Sequence, residues 1–475
     1  MSAPLRPHLC VIGAGSAGLT ATAAARAVGL SVVLVERDRM GGECLNTGCV
    51  PSKALIAAAR HAEAVRRAAA FGVDAGPPTV DAPRVFAHVH GAIATIAPHD
   101  SAERFRALGA TVLAGTARFL DPRTLAVGDI RIAPRRVIVA TGSRPAVPDL
   151  PGLSSVPFLN NEDVFDLSAL PASLVVLGGG PVGLELAQAF SRLGVAVTVA
   201  TSGRALPRDD REAAAIVAAR LRREGVDLRE ETPALAVRAA PGGVEVDTTA
   251  GPVRAERLLV ATGRRPAVDD LDLAAGGIAA TADGIVVDAA LRTSNRRVFA
   301  IGDVVAGTPR FTHWAGHQAG LAIRTILTRW PHRENRDALP WATYTDPEIA
   351  HVGLREAEAR ARHGDRVRVV RADFSGNDRA VADGDTEGFV RLVLGPRGRV
   401  LGADLVGPGA GETAALVALA IAGRIGVGAL AGMVAPYPTL AEAVRRAALG
   451  AYAEKLADPL VGGLMRLLVR LQGRG

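Results

Sequence analysis

Two glycine-rich turns constrain the fold of this chain more than any other feature. Each follows a short apolar run, and together they contain Gly13, Gly15, Gly18, Gly178, Gly180 and Gly183. Between a strand and a helix, this glycine spacing lets the backbone approach a pyrophosphate at the helix N-terminus. One such turn is a weak indication, but two predict an α/β protein with two Rossmann-like dinucleotide-binding domains. We expect one flavin site and one nicotinamide-nucleotide site.

Length and composition indicate a protein of several domains that is neither secreted nor bound to nucleic acid. The chain has 475 residues, enough for two or three domains with a substantial core. Its formal charge is +7, but basic and acidic residues are interspersed and aromatic residues are few, so no nucleic-acid partner is predicted. Three cysteines do not make a secretory disulfide framework, and no apolar run is long enough to cross a bilayer. The expected compartment is the cytoplasm.

The two glycine turns differ in the residue that follows the next strand. In the first, Glu36 follows the last glycine by eighteen residues, where a carboxylate accepts the hydroxyl groups of an adenosine ribose. The same offset in the second turn falls on Thr201, which carries no charge to repel a 2′-phosphate. Because Ser202, Arg204 and Arg208 follow, NADPH is favoured over NADH. The alternative is that these arginines are solvated loop charges.

The segment 41–53, which reads GGECLNTGCVPSK, is the second strong feature. It contains Cys44 and Cys49, whereas the third cysteine, Cys10, falls in the first apolar run and is expected in the core. A disulfide between residues this close constrains the unfolded chain little. A pair that opens and closes in each turnover is therefore favoured over a structural bond or two buried thiols. Lys53 is one of only two lysines, which indicates a position where a guanidinium cannot serve.

This segment resembles the redox-active segment of the class I pyridine nucleotide–disulfide oxidoreductases, the family of dihydrolipoamide dehydrogenase, glutathione reductase and mercuric reductase. The resemblance implies a homodimeric flavoenzyme in which two electrons pass from the nicotinamide to FAD and then to a Cys44–Cys49 disulfide. It implies that Cys49 lies against the flavin, that Cys44 meets the substrate, and that Lys53 lies near the flavin's reactive nitrogen. Glu185, just after the second glycine turn, matches the carboxylate that pairs with this lysine, although read alone it is an ordinary helix residue.

The resemblance covers nearly the whole chain and implies both cofactor sites. Segments 115–119, 136–142 and 297–303 resemble flavin-binding segments, and segment 311–313 opens a helix directed at the flavin. The implied contacts to one FAD per subunit are Gly13, Gly15, Gly18, Glu36, Gly42, Thr47, Lys53, Ala117, Thr141, Gly142, Asp303 and the backbone of His313. The implied contacts to the nicotinamide nucleotide are Gly178, Gly180, Gly183, Ser202, Arg204 and Gly263.

Three domains are expected on the same basis. Their residues are 1–148 with 268–335 (FAD-binding), 149–267 (NAD(P)-binding) and 336–475 (C-terminal α+β dimerisation domain). Within them, residues 54–107 are predicted to be helical with one interruption, and short strands are predicted at 389–393 and 400–405.

The segment 435–442 departs from the family pattern. Disulfide reductases of this family carry His-Pro-Thr-x-x-Glu, whose histidine comes from the other subunit and acts as the acid–base group. This chain reads APYPTLAE there, so that Tyr437 replaces the histidine. A phenol with a pKa near 10 is a poor base at neutral pH. Glu442 is either a catalytic group or, with Thr439, a capping box that opens the last long helix, which we favour.

A tyrosine in this position resembles mercuric reductase, in which thiolates hold a soft metal ion. The implied catalytic residues are Cys44, Cys49, Lys53, Glu185, Tyr437 and Glu442, and no resident metal site is predicted. Mercuric reductases also carry a C-terminal cysteine pair, whereas no cysteine follows Cys49 here. The acceptor is therefore Hg(II), another metal ion, a small oxidant or a quinone. The alternatives are a disulfide reductase with a different base, and a flavin redox sensor that docks on a membrane or partner.

Residues 456–475 are predicted to form a basic amphipathic tail. Apolar residues follow helical spacing and arginines line another face, namely Leu460, Leu464, Leu467, Leu468 and Leu471 against Arg466, Arg470 and Arg474. We favour a helix packed on the dimer. The alternative is a weak contact with an anionic membrane surface.

Overall fold

The computed structural model describes residues 3–457 and 459–472, and the chain divides into two compact units. Their residues are Met1–Arg204 with Gly225–Glu334 for the first unit and Ala205–Glu224 with Asn335–Gly475 for the second. Each unit has its own hydrophobic core.

The elements of the chain up to residue 334 occur in the following order. The first are β1 (Leu9–Ile12), α1 (Ser16–Ala27), β2 (Val32–Glu36), α2 (Gly42–Asn46), α3 (Cys49–Arg67), α4 (Ala82–Asp100), α5 (Ala102–Ala107), β3 (Thr111–Ala114), β4 (Ala117–Asp121), β5 (Thr124–Val127), β6 (Ile130–Ile132), β7 (Arg136–Val139) and β8 (Ser143–Pro145). The next are β9 (Ser173–Leu177), α6 (Pro181–Arg192), β10 (Ala196–Ala200), α7 (Arg211–Arg223, in the second unit), β11 (Asp227–Arg229), β12 (Ala234–Ala240), β13 (Gly243–Thr248), β14 (Val253–Ala255), β15 (Arg257–Val260) and β16 (Arg264–Pro266). The last are β17 (Ala280–Thr281), β18 (Gly284–Ile285), β19 (Val298–Ala300) and α8 (Thr312–Thr328).

A parallel sheet of five strands, in the order β19–β7–β1–β2–β3, lies around the first glycine turn. The apolar residues of β1 and β2 are buried, as expected for parallel strands that are covered on both faces. The turn after β1 requires glycine, because Gly13 has a φ of +99° and a Cβ there would lie 2.4 Å from Ala140 O. Cys10 is fully buried in this sheet, as predicted.

A second parallel sheet, in the order β11–β10–β9–β15, surrounds the second glycine turn. The strand β10 ends directly before Thr201. A Cβ on Gly183 would lie 2.1 Å from Gly178 O, so glycine allows α6 to pack closely on the turn. Two glycine turns, each followed by a helix and set in a parallel sheet, confirm the predicted α/β class with two Rossmann-like folds.

The helices of the first unit also follow the sequence pattern. The predicted helical region 54–107 contains most of α3 and all of α4 and α5, and its interruption lies between Phe71 and Ala82. Helix α8 begins at Thr312, as the segment 311–313 predicted.

The second unit contains an antiparallel sheet with helices packed on it. After α7 its elements are β20 (Pro340–Thr343), β21 (Glu348–Gly353), α9 (Glu356–His363), β22 (Arg368–Asp373), α10 (Asp378–Ala382), β23 (Phe389–Leu394), β24 (Val400–Gly407), α11 (Ala410–Ala422), α12 (Val427–Gly432), α13 (Glu442–Ala457) and α14 (Pro459–Gln472). The sheet order is β20–β21–β24–β23–β22, and both predicted strands are present as β23 and β24. This confirms the α+β pattern of the C-terminal part.

Two polar clusters hold the second unit together. His351 on β21 and Asp404 on β24 are both buried, and Nδ1 of the histidine lies 2.6 Å from Oδ1 of the aspartate. Arg220 on α7 pairs with Asp385 at 3.5 Å and with Glu387 at 2.8 Å. These ion pairs fix α7 and β21 to the rest of the unit.

The predicted tail forms helix α14, although residues 458 and 473–475, and so Arg474, lie outside the described part of the chain. Across the residues that the structure describes, no helix has both the length and the apolar character needed to cross a membrane. The boundaries of the three expected domains stay a prediction.

Candidate functional site

A cavity of about 580 Å³ in the first unit brings the sequence-predicted residues together. All the expected FAD residues line it except Gly18 and His313, and so do Cys44, Cys49 and Glu185. The cavity also includes polar residues that the sequence analysis did not single out: Glu43, Asn161, Arg264 and Thr312. It therefore combines a dinucleotide-binding turn with a pair of thiols.

The end of the cavity near β2 has the features of a nucleotide-binding site. Glu36 closes β2, and its carboxylate accepts hydrogen bonds from the backbone N–H groups of Ala14 at 2.6 Å and Arg37 at 2.8 Å. A Cβ on Gly42 would lie 2.7 Å from the Cα of Gly15, so two backbones approach closely beside the N-terminus of α1. A helix N-terminus with small residues around it accommodates a pyrophosphate, so these residues fit FAD.

Cys44 and Cys49 lie at the other end of the cavity. Cys44 is on α2, Cys49 is the first residue of α3, and their thiols hydrogen bond to each other. The Thr312 hydroxyl lies 3.5 Å from the sulfur of Cys49. The hydrogen bond from Cys44 lowers the pKa of Cys49 to about 6, against the effect of burial and with help from Thr312 and Lys53. The same hydrogen bond and burial raise the pKa of Cys44, so the pair consists of one thiolate and one thiol.

Lys53 and Glu185 form the ion pair that the resemblance implies. The Lys53 ammonium, one turn after Cys49 on α3, donates to Oε2 of Glu185 on α6 at 2.7 Å. The Glu185 side chain is only 6% exposed, whereas that of Lys53 is 37% exposed. The pair therefore places a positive charge beside the thiolate and balances a buried carboxylate.

Glu43 is a residue of this site that the sequence analysis did not assign. Asn161 donates to Oε1 of Glu43 at 3.0 Å, and Arg264 donates to the other carboxylate oxygen. Burial raises the pKa of Glu43 to about 7, although Arg264 acts in the opposite direction. The sequence offers one indication for Glu43, which is that it directly precedes Cys44. Nothing in the local sequence connects Asn161 or Arg264 with the cysteines.

The nicotinamide-nucleotide residues lie around the second glycine turn and do not line this cavity. Thr201 follows β10 and is buried, and its N–H donates to Arg229 O at 3.1 Å. Ser202 is exposed and Arg204 is half-buried. No carboxylate occupies position 201, so the feature on which the NADPH prediction depends is present in the fold.

His313 is the second residue of α8, and its ring stacks on Phe311 with 5.4 Å between ring centroids. This residue does not line the cavity, and its expected backbone contact to FAD stays a prediction. His317, one turn later, stacks on Trp314, and burial lowers its pKa. Thus α8 contributes Thr312 to the thiol pair, and neither imidazole belongs to the cavity.

Tyr437 and Glu442 belong to the second unit. The Tyr437 side chain is 71% exposed, and its hydroxyl donates to Oδ2 of Asp378 at 2.9 Å. The favoured capping box is wrong: Thr439 donates its hydroxyl to Pro436 O at 2.9 Å, and α13 begins at Glu442 itself. Glu442 is thus the first residue of the helix, where a carboxylate interacts favourably with the helix dipole.

Comparison with known proteins identifies the family. A model described as "Pyridine nucleotide-disulphide oxidoreductase" matches residues 7–319, and one for its dimerisation domain matches residues 339–448. The chain belongs to the pyridine nucleotide–disulphide oxidoreductase family. It is therefore an oxidoreductase that uses FAD and a nicotinamide nucleotide, and its dimerisation domain supports a homodimer.

Three similar proteins show the range of the family. A mercuric reductase from Shigella flexneri is 38% identical over 458 residues, which cover 93% of this chain and 80% of the relative. A dihydrolipoyl dehydrogenase from Haloferax volcanii is 35% identical and covers 94% of this chain and 97% of the relative. The Cu(II) complex of the HOCl-induced flavoprotein disulfide reductase RclA from Escherichia coli aligns with a TM-score of 0.83 at 26% identity, over 92% of this chain and 98% of that chain.

Proposed function

We propose that this flavoenzyme uses NADPH to reduce a soft metal ion such as Hg(II), or another small oxidant, at the thiol pair Cys44/Cys49. The observation that carries the proposal is Tyr437, which stands where disulfide reductases have a histidine and donates its hydroxyl to Asp378. This hydrogen bond and the charge of Asp378 raise the pKa of the phenol, so that still less of it is ionised and able to accept a proton at neutral pH. A soft metal ion needs thiolate ligands and not a proton donor, so its reduction tolerates the exchange.

The residues around the thiol pair support two tasks. Cys49 is held as a thiolate by Cys44, Thr312 and Lys53, and a thiolate is both the nucleophile and the ligand for soft metal ions. Cys44 keeps its proton until a metal ion displaces it, after which both sulfurs are available as ligands. Bound FAD supplies the two-electron link between the nicotinamide and the thiols.

The overall reaction balances without an acid–base residue at position 437. NADPH loses a hydride and becomes NADP⁺, Hg(II) gains two electrons and becomes Hg(0), and one proton is released. Reduction of a disulfide differs, because the leaving thiolate must be protonated during turnover. The exchange of histidine for tyrosine therefore affects the second reaction and not the first.

The preference for NADPH is argued from the second glycine turn. A carboxylate at position 201 would repel a 2′-phosphate, whereas Thr201 does not, and Arg204 follows three residues later. We expect Thr201→Glu to lower kcat/KM for NADPH by about tenfold or more and to leave that for NADH nearly unchanged. The ratio of the two values, measured with one acceptor, tests the preference.

A disulfide reductase is the second candidate, because the dihydrolipoyl dehydrogenase of Haloferax volcanii is nearly as similar as the mercuric reductase. This candidate needs a base other than Tyr437 at the thiol pair. A redox sensor is the third candidate, and for it the flavin would be reduced by NADPH without rapid transfer to any acceptor.

The deciding experiment measures NADPH oxidation by the FAD-loaded protein with Hg(II) in excess thiol, Cu(II), lipoamide and a quinone, side by side. We expect turnover with the metal ion, abolished in Cys44→Ala and kept in Cys10→Ala, which removes the buried thiol outside the cavity. Lipoamide turnover at an ordinary enzymatic rate of about 10 s⁻¹ would contradict the proposal and favour a disulfide reductase. Flavin reduction without turnover of any acceptor would favour the sensor.

A further inference from the structure

The carboxylate of Glu43 lies at the centre of a polar cluster within the first unit. The Asn161 amide donates to Oε1 of Glu43 at 3.0 Å and also to Thr47 O at 3.1 Å. Thr47 belongs to the short turn between Cys44 and Cys49. The Asn161 amide group therefore binds both the Glu43 carboxylate, directly before Cys44, and the turn that leads to Cys49.

The cluster extends from Glu43 to the flavin-binding segment. Arg264, which donates to the second oxygen of Glu43, also donates to the Ser143 hydroxyl at 2.8 Å and to Ser143 O at 3.1 Å. The Ser143 hydroxyl in turn donates to Oδ2 of Asp303 at 2.7 Å. Glu43 is thus connected through two side chains to the aspartate that the family resemblance assigns to FAD.

We propose that Glu43 is a positioning residue for the thiol pair, which holds the turn between the cysteines through its hydrogen bond with Asn161. This inference rests on the proposed function, in that Cys44 and Cys49 must cycle between disulfide and dithiol. It adds a residue that decides how readily the pair is reduced.

The chemistry of the pair shows why the turn between the cysteines matters. Reduction breaks the sulfur–sulfur bond, takes two electrons that come from NADPH, and adds one proton to Cys44, which leaves Cys49 as a thiolate. The disulfide requires the two sulfurs at bonding distance, whereas the dithiol does not. A turn that is held in one position therefore shifts the equilibrium between the two forms.

The experiment compares the wild type with Glu43→Leu and Glu43→Gln in thiol–disulfide buffers of graded ratio. The FAD-loaded protein is equilibrated, and the reduced fraction of Cys44 and Cys49 is read by alkylation and mass spectrometry. Leucine cannot accept the hydrogen bond from Asn161, so we expect the equilibrium constant for reduction to change by about threefold or more in Glu43→Leu. Glutamine keeps an oxygen that accepts from Asn161, so Glu43→Gln should restore the wild-type value. Glu63→Leu, which removes a carboxylate from the same helix α3 as Cys49, is the matched control and should not change it.

No shift in Glu43→Leu, or a shift of the same size in Glu43→Leu and Glu43→Gln, would overturn the positioning role. If the two cysteines do not form a disulfide in the wild type at any ratio, the proposed function itself fails, and the two failures are thus distinguishable.

Helix α14 lies beyond the part of the chain that the dimerisation-domain model matches. The described apolar side chains of this helix are exposed in the chain, with fractions between 36% for Val461 and 68% for Val469. At 3.6 residues per turn, the apolar residues from 461 to 471 cover about 200° of the helix circumference. Arg466 and Arg470 are on the remaining face, and the segment 459–472 contains no acidic residue.

From this helix we infer a docking surface for an anionic lipid membrane. The apolar arc is about twice as wide as the stripe of about 100° by which a helix packs on a protein core. Apolar residues with two arginines and no carboxylate fit the boundary between acyl chains and anionic headgroups. A second copy of α14 would instead bring like charges together, since its sequence offers no acidic partner.

The test uses the full-length protein and vesicles of phosphatidylcholine with or without phosphatidylglycerol. We expect co-sedimentation with the anionic vesicles, weakened by salt, and reduced about tenfold or more by the double substitution Arg466→Glu and Arg470→Glu. Arg362→Glu, which reverses an exposed arginine on α9, is the control and should bind as the wild type does. Equal binding to both vesicle types, or no binding, would overturn the inference, and so would loss of the dimer on removal of residues 459–475.

Discussion

Cys49 is the first residue of α3, and its neighbours decide its ionisation. The hydrogen bond from Cys44 is the largest influence, and the pKa of Cys49 falls to about 6, while that of Cys44 rises. In the reduced protein, the alkylation rate of Cys49 should therefore reach half its maximum at about pH 6, because the thiolate is the reactive form. Alkylation followed by peptide mass spectrometry across pH measures both rates. If Cys44 became reactive at a lower pH than Cys49, the assignment of Cys49 as the thiolate would be contradicted.

The ion pair between Lys53 and Glu185 gives a second prediction at the residue scale. Lys53→Met should lower the free energy of unfolding by about 1–2 kcal/mol, because it removes the hydrogen-bonded ion pair that Lys53 forms with the buried Glu185 carboxylate. The loss is kept small because Lys53 is itself partly exposed to water. Urea denaturation of Lys53→Met, Glu185→Leu and the double variant measures the coupling between them. Additive losses in the double variant would show that the pair contributes nothing.

The sequence predicts some of these residues and misses others for a physical reason. Cys44, Cys49 and Lys53 lie within thirteen consecutive residues, so a short segment indicates all three. Asn161 and Arg264 reach Glu43 only because the chain returns to the cavity more than a hundred residues later. Ordinary asparagines and arginines carry no local signal of such contacts, so folding alone reveals them.

At the scale of elements, the burial of apolar residues made the strands and most helices predictable. The capping box predicted for Thr439 and Glu442 was wrong. Residues 9–12 and 174–177 are continuous apolar runs because parallel strands are covered on both faces. The pattern Thr439-x-x-Glu442 is compatible with a capping box, but Thr439 donates to Pro436 O instead. A hydroxyl group can donate to a carbonyl oxygen or accept from a backbone N–H, so spacing alone does not decide which bond it makes.

The buried pair between His351 and Asp404 gives a prediction at this scale. It joins β21 to β24, and its side chains are only 2% and 8% exposed. His351→Leu should lower the free energy of unfolding by about 3–5 kcal/mol, because Asp404 is left buried without a partner. Thermal and urea denaturation measure the loss. His88→Leu, which changes an exposed histidine on α4, is the control and should have little effect, and an equal loss there would contradict the explanation.

At the scale of the whole molecule, the proposed role of position 437 concerns both subunits of the dimer. The dimerisation-domain model includes Tyr437, and the side chain is 71% exposed in the single chain. In disulfide reductases of the family, the histidine at this position serves the thiols of the other subunit. A phenol hydrogen-bonded to Asp378 offers no comparable base, which connects one substitution to the choice of acceptor for the whole dimer.

Tyr437→His should therefore raise lipoamide turnover by about tenfold or more, since a positioned imidazole contributes that much or more to proton transfer. Turnover with Hg(II) should not rise, because metal reduction needs no base at this position. Tyr344→His, which changes another exposed tyrosine of the second unit, is the control.

Mixed dimers then test whether the residue acts across subunits. A chain that carries both Cys44→Ala and Tyr437→His has no working thiol pair, so its own dimers should be inactive. When it is refolded with the wild type, its imidazole can serve the intact thiols of the partner, and lipoamide turnover should exceed that of the wild type alone. If turnover instead falls in proportion to the inactive chain added, position 437 does not serve the other subunit, and the exchange of histidine for tyrosine does not explain the acceptor.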